Sequence, residues 1–165
     1  MKKLILLGII ALSFAVQAGN IEDAWEYYKN GNFEQAKKNF LEALKNGNTN
    51  SYFGLGALCM EENNFDMAEQ MFLKAIENGD SEGYSGLGGV YTIRQEYDKA
   101  EKMYFKAIEN SEDPENPPRV YYYNLGVLYY QKQDYDNSKK YIKKAADAGY
   151  EDAKDLYKEM IRLGY

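Results

Sequence analysis

The 165-residue chain carries one cysteine, Cys59, and no histidine. A lone thiol forms no internal disulfide, and the commonest general base and metal ligand is missing. Cys59 sits in the apolar run "LGALCM" and reads as a packed core thiol. Two acid pairs, Glu61-Glu62 and Asp134/Asp136, are spaced as calcium ligands or a glycosidase acid and base could be. A calcium loop needs more oxygen ligands at fixed spacing around a central glycine, and neither stretch supplies them. These carboxylates read as helix caps or solvated surface. "GLGGVY" has closely spaced glycines, but no strand precedes it and no phosphate-loop lysine follows. Helix packing accounts for it better. No nucleophile–base pair and no ligand set emerges, so the chain reads as a non-enzyme that calls for no metal or cofactor.

Charge narrows the partners. The formal net charge is −6. Residues 19–119 hold 19 acidic and 10 basic side chains, and residues 120–165 hold 7 and 8. Nucleic acid is excluded as a partner, because binding there rests on phosphate neutralisation by Lys and Arg. The first residues, "MKKLILLGIIALSFAVQAGN", join a basic start to a 13-residue apolar run and the small residues Val16-Gln17-Ala18. That is the layout of a secretory signal peptide. The run is short of the ~20 residues that span a bilayer. The expectation is a signal peptide at 1–18 and an exported bacterial domain at 19–165, periplasmic or secreted, with no membrane span after signal removal.

The elements that would position any site are repeated. "EDAWEYYKNGNFEQAKKNFLEAL", "FGLGALCMEENNFDMAEQMFLKAI", "SGLGGVYTIRQEYDKAEKMYFKAI" and "YNLGVLYYQKQDYDNSKKYIKKAA" align without internal gaps. Ala24, Gly56, Gly88 and Gly126 share one register, then Ala36, Ala68, Ala100 and Ser138, then Ala43, Ala75, Ala107 and Ala145. The copies start 32, 32 and 38 residues apart, and "SEDPENPP" at 111–118 lengthens the last step. Apolar residues recur at three- and four-residue steps, so each copy predicts two helices. Asn32, Asn64, Glu96 and Asp134 stand where the second helix begins, with Asn and Asp the better caps. The small residues predict close helix–helix approach, small facing small. The first-helix leucines Leu55, Leu87 and Leu125, with Tyr27, Cys59, Tyr91 and Tyr129, are placed on the core side. One pair cannot bury its own apolar face, so pairs must stack. "EDAKDLYKEMIRLGY", with one apolar stripe and no second helix after it, reads as a capping helix.

At these residues the sequence resembles the tetratricopeptide repeat family, over about 20–163. The pattern is clearest in "YSGLGGVY", "YYNLGVLY", "AEQMFLKA" and "AEKMYFKA". Junctions such as "NGDSEG" and "AGYEDA" look like the Sel-one-like variant, and the period of 32 departs from the family's usual 34. The resemblance implies an all-α fold: an α/α superhelical solenoid of about four helix pairs plus the capping helix. It also implies that first helices line a concave face. On it would stand Ile21, Trp25 and Tyr28; Phe53, Ala57 and Met60; Ser85, Gly89 and Thr92; and Tyr123, Val127 and Tyr130. The candidate partner-binding residues are thus Trp25, Tyr28, Phe53, Met60, Ser85, Gly89, Tyr123 and Tyr130: aromatic walls beside a small floor. Aromatic and methionine side chains suit adaptable contacts. The family's carboxylate-clamping set of lysines and asparagines is not matched here, with Lys29 alone coming close.

The function implied is an exported module that holds a protein or peptide partner in an aromatic groove, as an envelope adaptor or assembly factor. The alternative is a self-associating structural subunit forming homo-oligomers. A β-lactam-binding or hydrolysing enzyme, the role linked to some Sel-one-like secreted proteins, is disfavoured because those proteins carry a cysteine pair in each repeat and this chain has one cysteine in all.

Overall fold

The computed structural model describes residues 21–111 and 118–164. The signal-peptide reading at 1–18 and most of the 111–118 insertion lie outside the described residues. Every regular element among the described residues is an α-helix. They are α1 (21–29), α2 (Phe33–Lys45), α3 (Ser51–Glu61), α4 (Phe65–Glu77), α5 (Glu82–Ile93), α6 (Tyr97–Glu109), α7 (Arg119–Gln131), α8 (Tyr135–Asp147) and α9 (Glu151–Leu163). None is long and apolar enough to cross a membrane. The chain forms two compact units, one ending at Asp80 and the other beginning at Ser81.

The helices stop where backbone chemistry makes them stop. Between the two helices of each pair one residue is left-handed: Gly31, Asn63, Gln95 and Gln133, with φ of 72°, 57°, 60° and 61°. The next N–H reaches back five residues in each case, Asn32 to the Tyr27 carbonyl, Asn64 to Cys59, Glu96 to Tyr91 and Asp134 to Tyr129, at 2.8–2.9 Å. That is the Schellman closure of a helix C-terminus. The second helices end the same way at Gly47, Gly79 and Gly149.

The expected N-caps divide. The Asn64 side chain accepts from the Met67 N–H at 3.3 Å, and Asp134 from Asn137 at 3.2 Å. Asn32 makes no side-chain cap bond. Glu96 makes none either and pairs with Lys99 instead.

Packing explains why the first helices α3, α5 and α7 are apolar and glycine-bearing while the second are amphipathic. In the first unit α3 lies against both α2 and α4, and in the second α7 lies against α5, α6 and α8. A helix buried on two sides can spare few polar residues. The closest approaches run between a glycine and a large side chain, a finer result than small residue facing small. A Cβ on Gly56 would stand 2.5 Å from the Phe72 ring, on Gly88 2.5 Å from Tyr104, and on Gly126 2.6 Å from Ile142. Gly54 lies under the Phe40 ring. The alanines one turn earlier, Ala36, Ala68 and Ala100, are wholly buried and let the helices come that near.

The core of the first unit centres on Ala24, Ala36, Phe40, Leu55 and Leu58. The second unit holds Ala100, Tyr104, Leu125, Leu128, Tyr129 and Tyr141, then Ile142, Ala145, Ala153 and Met160 beneath α9. Tyr27 corrects its core-side placement: it is 38% exposed, whereas Cys59 and Tyr129, at the same register, are buried. Tyr27 lines a small polar recess with its neighbours Asp23, Glu26 and Asn30. In α9 the glycine position, nine residues past the left-handed glycine, is Lys158. No ring can enter there, and α9 turns three ion pairs outward: Lys154–Glu151, Lys158–Asp155 and Arg162–Glu159.

Candidate functional site

In the first unit four of the expected partner-binding residues stand on α1 and α3. Trp25 sets its ring edge-on to Phe40 at 5.0 Å and to Tyr28 at 5.5 Å, and lies 6.0 Å from Phe53. Phe53 continues to Phe72 and Tyr28 to Phe33, both at 5.5 Å. Such pairs favour edge-on and tilted geometry because ring edges are positive and faces negative. The spacing works because α1 offers positions one turn apart and α3 brings Phe53 alongside. Trp25, Tyr28, Phe53 and Met60 are each half-buried, so the cluster is part core and part surface. The Tyr28 hydroxyl donates to Glu61 Oε1 at 2.8 Å, tying α1 to the end of α3. Burial first, then the bond to Glu61, pushes the Tyr28 phenol up to about 12.

In the second unit the expected residues separate. Ser85, Gly89 and Thr92 lie half-buried along α5. Ser85 Oγ is 3.4 Å from the Asn124 amide nitrogen on α7, and Thr92 donates to its own helix at the Gly88 carbonyl, 2.7 Å away. Tyr130 is 47% exposed and meets Tyr135 edge-on at 5.5 Å. Tyr123 and Val127 pack against the cluster beneath α9, and Tyr123 lies 5.0 Å from the Tyr150 ring. The structure therefore groups Trp25, Tyr28 and Phe53 tightly, leaves Tyr130 open, and occupies Tyr123 with its own chain.

Two features escaped the sequence reading. A lysine amine stands over a tyrosine ring at one register in three pairs: Lys74 over Tyr52, Lys106 over Tyr84 and Lys144 over Tyr122, at 5.6, 5.3 and 5.3 Å. The signal was present: each lysine follows its tyrosine by 22 residues. Each such contact contributes about 0.5–1 kcal/mol at an exposed site. The other feature is an ion pair that recurs with its sign reversed. Lys37 on α2 meets Glu62 after α3 at 3.0 Å, and at the same register Glu101 on α6 meets Lys132 after α7 at 2.8 Å. Glu101 also accepts from the Tyr129 hydroxyl at 2.7 Å. Burial, with this bond behind it, raises the Tyr129 phenol as well. Glu101 and Phe105 help line a 580 Å³ cleft along α6. The Cys59 thiol is raised by burial above all. That is the reverse of what a reactive cysteine needs.

Family models decide the broader assignment. Tetratricopeptide repeat models match residues 21–83 and 120–148, together more than half of the chain. The chain belongs to the tetratricopeptide repeat family. Repeats of this kind mark a protein–protein interaction module. No curated protein matches this tetratricopeptide chain in sequence. Solved structures similar to it include BtubC from P. vanneervenii, at 23% identity and a TM-score of 0.68 over 90% of this chain and 67% of that one. Pseudomonas aeruginosa pilF is similar at 21% identity and 0.73, over 92% and 72%. MamA is similar at 24% and 0.60, over 84% and 81%. At such identities the likeness speaks for the fold alone. It agrees with the all-α, helix-pair repeat architecture of this tetratricopeptide protein.

Proposed function

We propose that the protein is an exported, non-enzymatic interaction module that holds a segment of a partner protein against the aromatic faces of its first helices. Its role is that of an adaptor or assembly factor of the cell envelope. The observation that carries this reading is the joined, half-buried ring set of Trp25, Tyr28 and Phe53. Rings that are only partly used by the core keep apolar area that a partner can cover, and aromatic anchors dominate binding energies at interfaces. Tyr130 offers a second, more open ring on α7. The basic-then-apolar start of the sequence supports export. Stacking of copies end to end is less well served, because Lys158 stands where a following helix needs glycine and Asp23, Glu26 and Asn30 make the α1 end polar.

Photo-cross-linking tests this. Benzoylphenylalanine at Met60 or Tyr130 is expected to trap a partner in the native extract, whereas the same group at the exposed Leu41 on α2 traps none. Equal trapping from Leu41 refutes an aromatic-face site. Export is tested by sequencing the N-terminus of the protein recovered from fractionated cells: a start near Gly19 outside the cytoplasm supports it, and an intact Met1 form confined to the cytoplasm overturns it.

A further inference from the structure

The helices that bear these rings, α1 and α3, carry a net negative charge. The acids of these two helices are Glu22, Asp23, Glu26 and Glu61, and their one base is Lys29. The second helices of the same unit are mixed, with Glu34, Glu42, Asp66, Glu69 and Glu77 against Lys37, Lys38, Lys45 and Lys74. The negative charge of the unit is thus concentrated on the helices that bear the half-buried rings. Two of these acids stand beside the rings. Glu61 is fixed there by the Tyr28 hydroxyl at 2.8 Å. Glu22 lies three residues before Trp25, one helical turn away and so its neighbour on the helix surface. The molecule places its own lysines over tyrosine faces at Tyr52 on α3 and, in the second unit, at Tyr84, Tyr91, Tyr122, Tyr129 and Tyr141, and none of these pairs involves Trp25 or Phe53. Trp25 has Glu22 one turn before it on α1 and Lys29 one turn after it, and the neighbouring Tyr28 holds Glu61.

We infer that the α1–α3 face takes a cationic partner segment, an amphipathic helix or strand that lays apolar side chains on Trp25, Phe53 and Met60 and lysines or arginines toward Glu22 and Glu61. This rests on the proposed aromatic-face site and adds the sign of the partner. A desolvated ring with carboxylates beside it attracts a cation twice, through its quadrupole and through the acids. An acidic segment would meet like charge, which makes the preference one of exclusion as well as attraction.

Trp25 is the only tryptophan, so its emission reports occupancy of this face. The probes are three 18-residue amphipathic helical peptides with leucine on the apolar side and lysine, glutamine or glutamate at every polar position. The whole protein is titrated with each. The lysine peptide is expected to shift Trp25 emission with a Kd at least tenfold below that of the glutamine peptide, and the glutamate peptide to bind no more tightly than the latter. Raising salt from 50 to 500 mM should weaken the lysine peptide severalfold, because exposed pairs are screened. Glu22→Gln/Glu61→Gln, which keeps an acceptor for Tyr28, should weaken it roughly three- to tenfold. Glu34→Gln/Glu77→Gln, on the second helices, should leave it unchanged. Equal binding of all three peptides overturns the cationic preference and keeps the aromatic site. Equal losses in the two double variants overturn the placement on α1–α3. No shift with any peptide overturns both this inference and the aromatic-face reading.

Discussion

Gly88→Ala puts the central packing argument at risk. A methyl group at Gly88 would stand 2.5, 2.7 and 2.8 Å from Cε1, Cδ1 and Cζ of Tyr104. Carbons at rest lie ~3.5–4.0 Å apart. The shortfall is about 1 Å at three ring atoms. The ring cannot step aside, since Tyr104 is 5% exposed and its hydroxyl lies 3.4 Å from Thr92 Oγ1. Overpacking of this kind costs about 1–3 kcal/mol. Alanine in a helix interior returns about 1 kcal/mol relative to glycine. With the ring held, the cost falls at the top of that range, and the net loss should be about 2 kcal/mol. Gly126→Ala should lose a similar amount, about 2 kcal/mol, because the Ile142 backbone nitrogen is itself 3.0 Å from the new methyl and a side-chain rotamer does not relieve that contact. The assay is urea unfolding followed by far-UV circular dichroism, read as the change in midpoint. Coupling decides the cause. Gly88→Ala/Tyr104→Leu should be more stable than the sum of the single losses predicts, by about 1 kcal/mol or more, since the shorter side chain clears the methyl. A neutral or stabilising Gly88→Ala would show that only helix propensity acts at this position, and the account of glycine as a socket for the ring would fail.

Three further outcomes follow from local geometry. Asn64→Ala should destabilise by about 1 kcal/mol and Asn32→Ala by a few tenths, because only Asn64 makes its cap bond; equal losses in thermal unfolding would refute the distinction. Ser51→Ala should stabilise by up to about 1 kcal/mol, because the buried Ser51 hydroxyl has no hydrogen-bond partner among the described residues, and a lower urea midpoint would refute this. Alkaline titration tests Tyr28. Its phenol is raised from 10.0 to about 12, so the folded state favours the neutral form. That stability is complete below pH 10 and is lost as the pH rises through 12. Tyr28→Phe should flatten the loss of stability between these values, and an unchanged profile of midpoint against pH would place the cause elsewhere.

The sequence by itself determined what is local and periodic. Helix pairs, their breaks and the register of Gly56, Gly88 and Gly126 were legible, because hydrogen bonds within helices and the 3.6-residue period depend on nearby residues alone. So was the neighbourhood of Trp25 and Tyr28, which one-turn spacing on α1 brings about, whereas Phe53 joins them only through the packing of α3. The tertiary structure decided where side chains end. The glycines meet Phe72, Tyr104 and Ile142, a pairing set by how two helices cross rather than by either pattern. Tyr123 and Tyr130 share a helical stripe and differ in fate, because Tyr150 and the cluster under α9 cover the first and leave the second open. Tyr27 and Tyr129 share a register and differ too, since Glu101 of α6 holds the Tyr129 hydroxyl while Tyr27 borders a polar recess with Asp23, Glu26 and Asn30. Register assigns a residue to a face, and only the neighbouring helix determines whether that face is core or surface.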